Sequence, residues 1–424
     1  MVIFLVAVLL GGGGSRYALS NLSVQLVAIG YLVFAIDRAM TGWRDLRTSL
    51  RVLVAITLLL PLVQLIPLPP ALWQALPGGE TALRSRELVG ASSQWFPLTQ
   101  DRARTVLAFA ALVPPFVIAV LRPREDFSQI FVRLIVGLGV LNISLGAVQF
   151  VAGANIPYGY PMVETGRIYG LFANHNTSGL FFVVALCSLA GLEIDAASKR
   201  VQMALKIALG GLFVIGVLLT QSRSSAVLML IPLLYFVFAF LRARSRSGRS
   251  LNWKVFVPVV AFALVVAWFG LTQERLGQTM ERFGDLQDER PAIWRDTLAA
   301  ITAYFPFGSG IGSFDEVFQY FESLETLSPA FARRAHNDYL ELGVEAGILG
   351  WLLLGGWLFW GAWTWLAQKS RGLDGSQVAA SLAILSIAGQ SAIDYPLRNQ
   401  AFLCLAVIFV VMLAGRSLNK GSGH

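Results

Sequence analysis

Charge is what this chain most lacks. Only 14% of its 424 residues are Asp, Glu, Lys or Arg, where a soluble domain carries about 25%. With 56% hydrophobic residues and a mean hydropathy of +0.64, a water-soluble globular fold is excluded. Cysteine is scarce too. Cys187 and Cys404 both lie inside apolar runs, where small buried thiols are ordinary, so there is no disulfide framework and no Cys/His metal spacing. The outer loops hold no Asp-x-Asp or similar carboxylate pair, so no divalent-metal site and no cofactor are expected. Phosphate-binding glycine motifs are missing as well: Gly308-Ser309-Gly310-Ile311-Gly312 fits neither a Walker nor a dinucleotide pattern, although glycine-rich turns approach phosphates closely. There is no internal repeat.

Long apolar runs are what the chain has instead. Several reach the roughly 20 residues a bilayer-spanning helix needs, and they are continuous rather than alternating, which excludes a β-barrel. The reading is an all-α polytopic membrane protein with about twelve transmembrane helices, near 1–14, 17–36, 52–73, 104–121, 129–151, 171–192, 206–220, 224–241, 255–271, 344–367, 378–393 and 401–415. Met1–Leu10 has no basic stretch before it and is expected to be a short retained first span rather than a cleaved signal. The tail Gly421-Ser422-Gly423-His424 has the composition of an added sequence, and His424 carries no functional argument.

A net charge of +8 points to nucleic acid only if the basic residues cluster. Here they are scattered between spans: Arg38, Arg44, Arg47 and Arg51; Arg122 and Arg124; Lys199, Arg200 and Lys206; Arg242, Arg244, Arg246, Arg249 and Lys254; Lys369 and Arg371; Arg416 and Lys420. With twelve spans all these loops fall on one side, which the positive-inside bias makes cytoplasmic, together with both termini. The opposite side owns 74–103, 152–170, the turn Gln221–Ser224, the long polar loop 273–343 and Tyr395–Asn399. The expected organisation is therefore membrane helices over 1–272, a helical outer loop domain over 273–343, and membrane helices with a tail over 344–424. Within the loop, Asp285–Phe305 has helical apolar spacing through Ile293, Leu298 and Ile301, and Pro306 with the glycine run ends it.

The chemistry-bearing residues collect on that outer side. His336 follows Arg333 and Arg334. Nearby positive charge disfavours the charged imidazole, and a neutral imidazole is what a general base requires; a plain helix-surface histidine at the interface is the other reading. Arg223, in Thr220-Gln221-Ser222-Arg223-Ser224-Ser225, sits where orientation does not call for arginine. Its donor fork suits phosphate oxygens, or it is an interfacial anchor. Arg290 and Arg295 flank Trp294 among acids that allow simple helix ion pairs. In Gly166-Arg167-Ile168-Tyr169-Gly170-Leu171-Phe172-Ala173-Asn174-His175-Asn176, Asn174 or Asn176 caps the next helix or lines a sugar or lipid-linked ligand. Asp394 reads as a helix-terminal acid near water.

His336-Asn337-Asp338-Tyr339-Leu340-Glu341, followed by Gly343 and Glu345-Ala346-Gly347, resembles the signature of the O-antigen ligase and polymerase superfamily, the Wzy_C region. Thr220–Ser224, Arg290–Trp294 and Pro306–Gly312 resemble it in order and spacing, so the similarity covers roughly 165–350. The resemblance implies a metal-independent, inverting glycosyltransferase of GT-C-like architecture in the inner membrane of a Gram-negative bacterium, its active site facing the periplasm. Its donor would be a glycan on undecaprenyl diphosphate and its acceptor the lipid A-core oligosaccharide, with no cofactor. Carried over, His336 is the essential catalytic histidine, Arg223, Arg290 and Arg167 bind the diphosphate, and Asn174, Ser222, Asn337 and Asp394 are groove candidates. A polymerase extending the lipid-linked chain is the alternative within the family, and a protein oligosaccharyltransferase shares the region. A polyprenyl-sugar transporter would place its polar residues near the bilayer midplane and show repeat symmetry, which this sequence does not.

Overall fold

The structure is a computed structural model that describes residues 1–121, 127–152, 160, 166–195, 198–246, 290–324 and 332–415. The expected span near 255–271, the first part of the outer loop with the boundary at 272, Arg122, Arg124, Arg249, Lys254, and the tail with Arg416, Lys420 and Gly421–His424 lie outside the described residues.

The described chain is helical almost throughout, with one short antiparallel pairing of Pro67–Leu68 and Phe96–Pro97. Its centre is the helix His175–Ser188, in which every residue from Ser178 to Ser188 is buried. The sequence there is apolar all round, with no polar stripe, and such a helix belongs inside a bundle. It packs against Phe127–Ala152, Lys199–Leu219 and Gly375–Ser391, with Phe172, Phe181, Phe182, Phe213 and Phe402 filling the gaps. Small residues let the backbones close: Gly139 faces Phe213 and Ala185, and Gly179 faces Ser225 and Thr220.

Five helices are long and apolar enough to cross a membrane: Arg102–Val120, Phe127–Ala152, Lys199–Leu219, Arg223–Arg242 and Asp338–Lys369. Counting the bent pair Ala18–Phe34 and Ile36–Arg44 as one span makes six among the described residues, against the twelve or so expected from hydropathy. The difference has local causes. The expected span near 17–36 turns by 87° before Asp37 and Arg38, so that its charged end runs sideways. Thr48–Gln64, Gln400–Ala414 and Gly375–Ser391 are helices of 17, 15 and 17 residues, and the central helix has only 14. They are packed among longer neighbours.

Over one end of the bundle lies the helix Arg290–Tyr304, within the expected stretch. Ile293 and Ile301 face a small core of Phe314, Phe318, Ala335 and Val344; Leu298, assigned to the same face, is exposed. The glycine run that follows does not open onto a ligand. Gly308, Gly310 and Gly312 all have positive φ, and a Cβ at Gly308 or Gly310 would overlap Glu345–Ala346 or Thr99. The amides are already used: Ser309 N donates to Val344 O at 2.8 Å, Gly310 N to Glu345 O at 2.8 Å, and Ile311 N to Gln64 Oε1 at 2.8 Å. These glycines serve backbone packing, not phosphate.

Their partner is the helix Asp338–Lys369, which breaks at Gly347 (φ 54, ψ −138). Pro306 O lies where a Cβ at Gly347 would go, and it takes the Ile348 amide at 3.0 Å. Gly347→Ala is therefore expected to lower the thermal midpoint of the solubilised protein, because the backbone strain alone costs about 1–3 kcal/mol. An unchanged midpoint contradicts the close approach.

Candidate active site

The site is built where the segment around Arg290–Tyr304 meets the start of Asp338–Lys369. Asn337 caps that helix, its Oδ1 accepting from Tyr339 N at 3.0 Å and Leu340 N at 3.1 Å, while its Nδ2 donates to Ala392 O at 2.9 Å. Turning sharply into this cap puts His336 in the left-handed region, at φ 48. Few side chains other than glycine sit there, and a residue held so is a mark of functional sites.

Three acids follow on one helical face, Asp338, Glu341 and Glu345, and all are buried. Arg334 Nη1 reaches Glu341 Oε1 at 2.6 Å, and Ala335 N donates to Glu341 Oε2 at 3.2 Å. Arg398 enters from the turn Pro396–Arg398, with Nη2 2.7 Å from Glu345 Oε2 and Nε 3.2 Å from Glu341 Oε1 and 3.8 Å from Asp338 Oδ1. Burial alone disfavours the charged guanidinium, but Glu345, Glu341 and Asp338 together outweigh it and raise the pKa of Arg398 above the ordinary value. Asp338 also accepts from Ser391 Oγ at 2.9 Å and Leu397 N at 3.2 Å. This network fastens the turn 394–399 to the histidine segment.

Asp394 is thereby placed against His336. Its Oδ1 lies 3.4 Å from His336 Nδ1, and it is buried, 5% exposed, not an acid near water. Both facing atoms are buried without a formed hydrogen bond, to each other or to any other group. The contact is long for a hydrogen bond, as catalytic contacts often are before substrate arrives. Gln390 Nε2 donates to the other carboxylate oxygen at 3.3 Å. The His336 side chain stays 33% exposed and meets the Tyr395 ring edge-on, with centroids 5.0 Å apart. Burial, chiefly, pushes the Tyr395 phenol up to about 12, so it remains a neutral hydroxyl.

Tyr395 faces the other half of the site. The Asn174 side chain beside its hydroxyl offsets part of that upward shift, and Asn174 caps the central helix by accepting from Asn176 N at 2.8 Å. Next to it, His175 Nε2 lies 3.1 Å from Arg167 Nη1. Arg167 Nε donates to Gln221 Oε1 at 3.2 Å, and Gln221 Nε2 returns a bond to Gly166 O at 3.1 Å. Gln221 is the other non-glycine residue with positive φ, 54, among the described residues. It makes the turn after which Ser222 caps the helix Arg223–Leu228. Ser222 is 2% exposed and bonded to Ser225 Oγ at 2.9 Å, a structural cap rather than a surface group. Arg223 stands exposed at the first turn of that helix.

Arg290 arrives on a third element. It opens Arg290–Tyr304, one helical turn before Trp294, and Trp294 Nε1 donates to Ala335 O at 2.9 Å, next to His336. Helical residues four apart share a face, so Arg290 and Trp294 lie on the side toward the histidine segment.

The structure thus sets His336 against Asp394, ties Asn337 to Ala392 and Arg167 to His175 and Gln221, and places Arg223 two residues after Gln221 and Arg290 one turn before Trp294. Reading the sequence missed Arg398 and the pairing roles of Tyr395 and His175. A signal for Arg398 was present: acids at 338, 341 and 345 share one apolar helix face, and buried acids need a cation.

Residues 207–355 match the Wzy_C family model, described as O-antigen ligase. No curated protein matches the chain. The match begins later than the resemblance at 165 and takes in Arg223, Arg290 and His336, while Arg167, Asn174 and Asp394 are tied to it by the contacts above. The region 207–355 is thus shared with the O-antigen ligase and polymerase superfamily, and the match supports that affiliation.

Proposed function

We propose that this protein is a glycosyltransferase of the periplasmic face of the inner membrane, moving O-antigen from undecaprenyl diphosphate to lipid A-core. The observation that carries the reading is the pairing of His336 with the buried Asp394 at 3.4 Å, inside a family whose members handle lipid-linked glycans. A carboxylate facing Nδ1 selects the tautomer with its proton there and leaves Nε2 as an acceptor. The acceptor sugar hydroxyl attacks the anomeric carbon of the donor and its proton passes to His336 Nε2. The bond from that carbon to the diphosphate oxygen breaks, undecaprenyl diphosphate leaves, and the anomeric centre is inverted.

Arg223 and Arg290, with Arg167, hold the diphosphate and stabilise the charge it gains. No metal is required in this scheme. An apolar cleft of about 370 Å3 is lined by Pro61, Leu107, Leu342, Leu353 and Leu403, and also by Arg334 and Asp338, on either side of His336 in sequence. It suits the polyprenyl tail in a GT-C-like frame, with Ile311, Gly312 and Arg334 contributing to its walls. The description of the matching family, O-antigen ligase, favours ligation over polymerisation.

The test is transfer by the purified chain in nanodiscs, from undecaprenyl-diphosphate-linked O-antigen to lipid A-core. Arg223→Ala and Arg290→Ala are each expected to lose about 10²–10³-fold in kcat, and EDTA is expected to change nothing. Growth of the lipid-linked chain without any product on lipid A-core would identify a polymerase; loss of activity in EDTA would refute the metal-free scheme.

A further inference from the structure

A second cleft lies on the outer face, away from His336. It encloses about 650 Å3 between the segment 81–103 and residues Tyr304, Glu316 and Tyr320, within the ~300–1,000 Å3 usual for small-ligand sites. The segment that forms it is firmly built. Trp73 is buried and donates from Nε1 to Gln94 O at 3.0 Å, and the strand pair Pro67–Leu68 with Phe96–Pro97 closes its base.

The chemistry of the walls is specific. Arg86 sits in the corner formed by the edge-to-face rings of Trp73 and Phe96, its guanidinium carbon 4.5 Å from the Trp73 ring centre and 4.0 Å from that of Phe96, and Arg102 stacks on Phe96 at 5.0 Å. Opposite stand Tyr304 and Tyr320, the latter 65% exposed. Gly78, with φ 77, leaves room for the Tyr304 ring, which a Cβ there would overlap. Asp101 and Glu316 balance the two arginines. A phosphate site gathers cations without acids. Flat aromatic faces beside planar donor and acceptor forks, with no net charge, instead fit a ligand that is apolar on one face and ringed by hydroxyls.

We infer that this cleft binds the sugar rings of a saccharide chain, holding a glycan whose reacting end lies at His336; the inference rests on the proposed glycosyl transfer. The helix Arg290–Tyr304 fixes the distance. Its Trp294 touches the histidine segment and its Tyr304 lines the cleft, ten residues apart, or about 15 Å along the axis. A short stretch of glycan spans that, so sugars near the bond being made are engaged together with those farther along. The chain is either the donor's or the acceptor's, since both present sugar rings.

Saturation-transfer NMR on the full chain in nanodiscs tests this with two probes, delipidated O-antigen oligosaccharide and delipidated core oligosaccharide. Wild type and His336→Ala bind at least one probe alike, whereas Tyr320→Ala and Arg102→Ala weaken it about tenfold, a loss of ~1.4 kcal/mol. Both altered residues are exposed, so the fold survives. Binding of the O-antigen probe alone assigns the cleft to the donor; binding of the core probe alone assigns it to the acceptor. The inference falls if wild type binds neither, if both variants bind as wild type does, or if inorganic phosphate displaces the saccharide. Saccharide binding without transfer would sink the proposed reaction and leave this site standing. Transfer with an unchanged KM in both variants would do the reverse.

Discussion

Replacing His336 by alanine is expected to reduce transfer by about 10²–10⁴-fold, the usual contribution of a positioned general base, while donor binding persists. The reason is geometric. The imidazole is the side chain held between a buried carboxylate, Asp394, and the open side of the site, and the diphosphate would be carried by arginines on other elements. The left-handed backbone at residue 336 supplies a control. His336→Gly relieves a strain of about 1–3 kcal/mol and is expected to fold at least as well as wild type, yet to be as inactive as His336→Ala. Added imidazole should restore part of its activity. Asp394→Asn keeps the shape but loses the charge that orients the ring, and should lower kcat with little change in KM. Near-normal turnover by folded His336→Ala or His336→Gly would end the base assignment.

Arg398 carries the largest expected effect on stability. Three buried carboxylates converge on this one largely buried guanidinium, 17% of whose side chain is exposed. Removing one partner of a buried ionic cluster costs about 3–5 kcal/mol, because the remaining charges stay buried without compensation. Arg398→Met should therefore unfold at a markedly lower temperature in detergent. Restoring balance with Glu345→Gln in the same chain should recover part of the loss. A wild-type midpoint for Arg398→Met would mean that Arg334 alone satisfies the acids. The Arg398 turn also carries Asp394 and Tyr395, so a partly folded Arg398 variant should lose transfer as well.

How much of this was legible in the sequence depended on whether its causes were local. The outer helix was legible because Ile293 and Ile301 repeat at helical spacing and Pro306 ends the pattern. The turn at Gln221 was legible because polar residues interrupt two apolar runs. His336 stood out because histidine is rare in this chain. The partner of His336 was not legible. Asp394 is 58 positions away, and only the packing of the turn 394–399 on the histidine segment, through Asn337 and Asp338, brings it there. The acids 338, 341 and 345 read as part of a motif, and nothing local revealed that they serve as anchors for Arg398. The glycine run was undecided for the same reason: glycine marks a close approach, but not what approaches. Hydropathy likewise measures a run's greasiness and not its length as a helix, so the 14-residue central helix and the 87° bend before Ile36 were both read as ordinary spans.

The amides of Ser309, Gly310 and Ile348, bonded across the contact between the glycine run and the break at Gly347, have a consequence for traffic. Each such bond left unmade in a buried place costs about 1–3 kcal/mol. The cover around 304–312 is therefore stitched to a membrane-crossing helix along its main chain, and it rides with that helix rather than swinging above it. A doorway that opened upward would have to tear the seam. The two lipid-anchored substrates of the proposed transfer would have no need of one: diffusing in the plane of the bilayer, they would reach the histidine from the side, beneath a fixed roof.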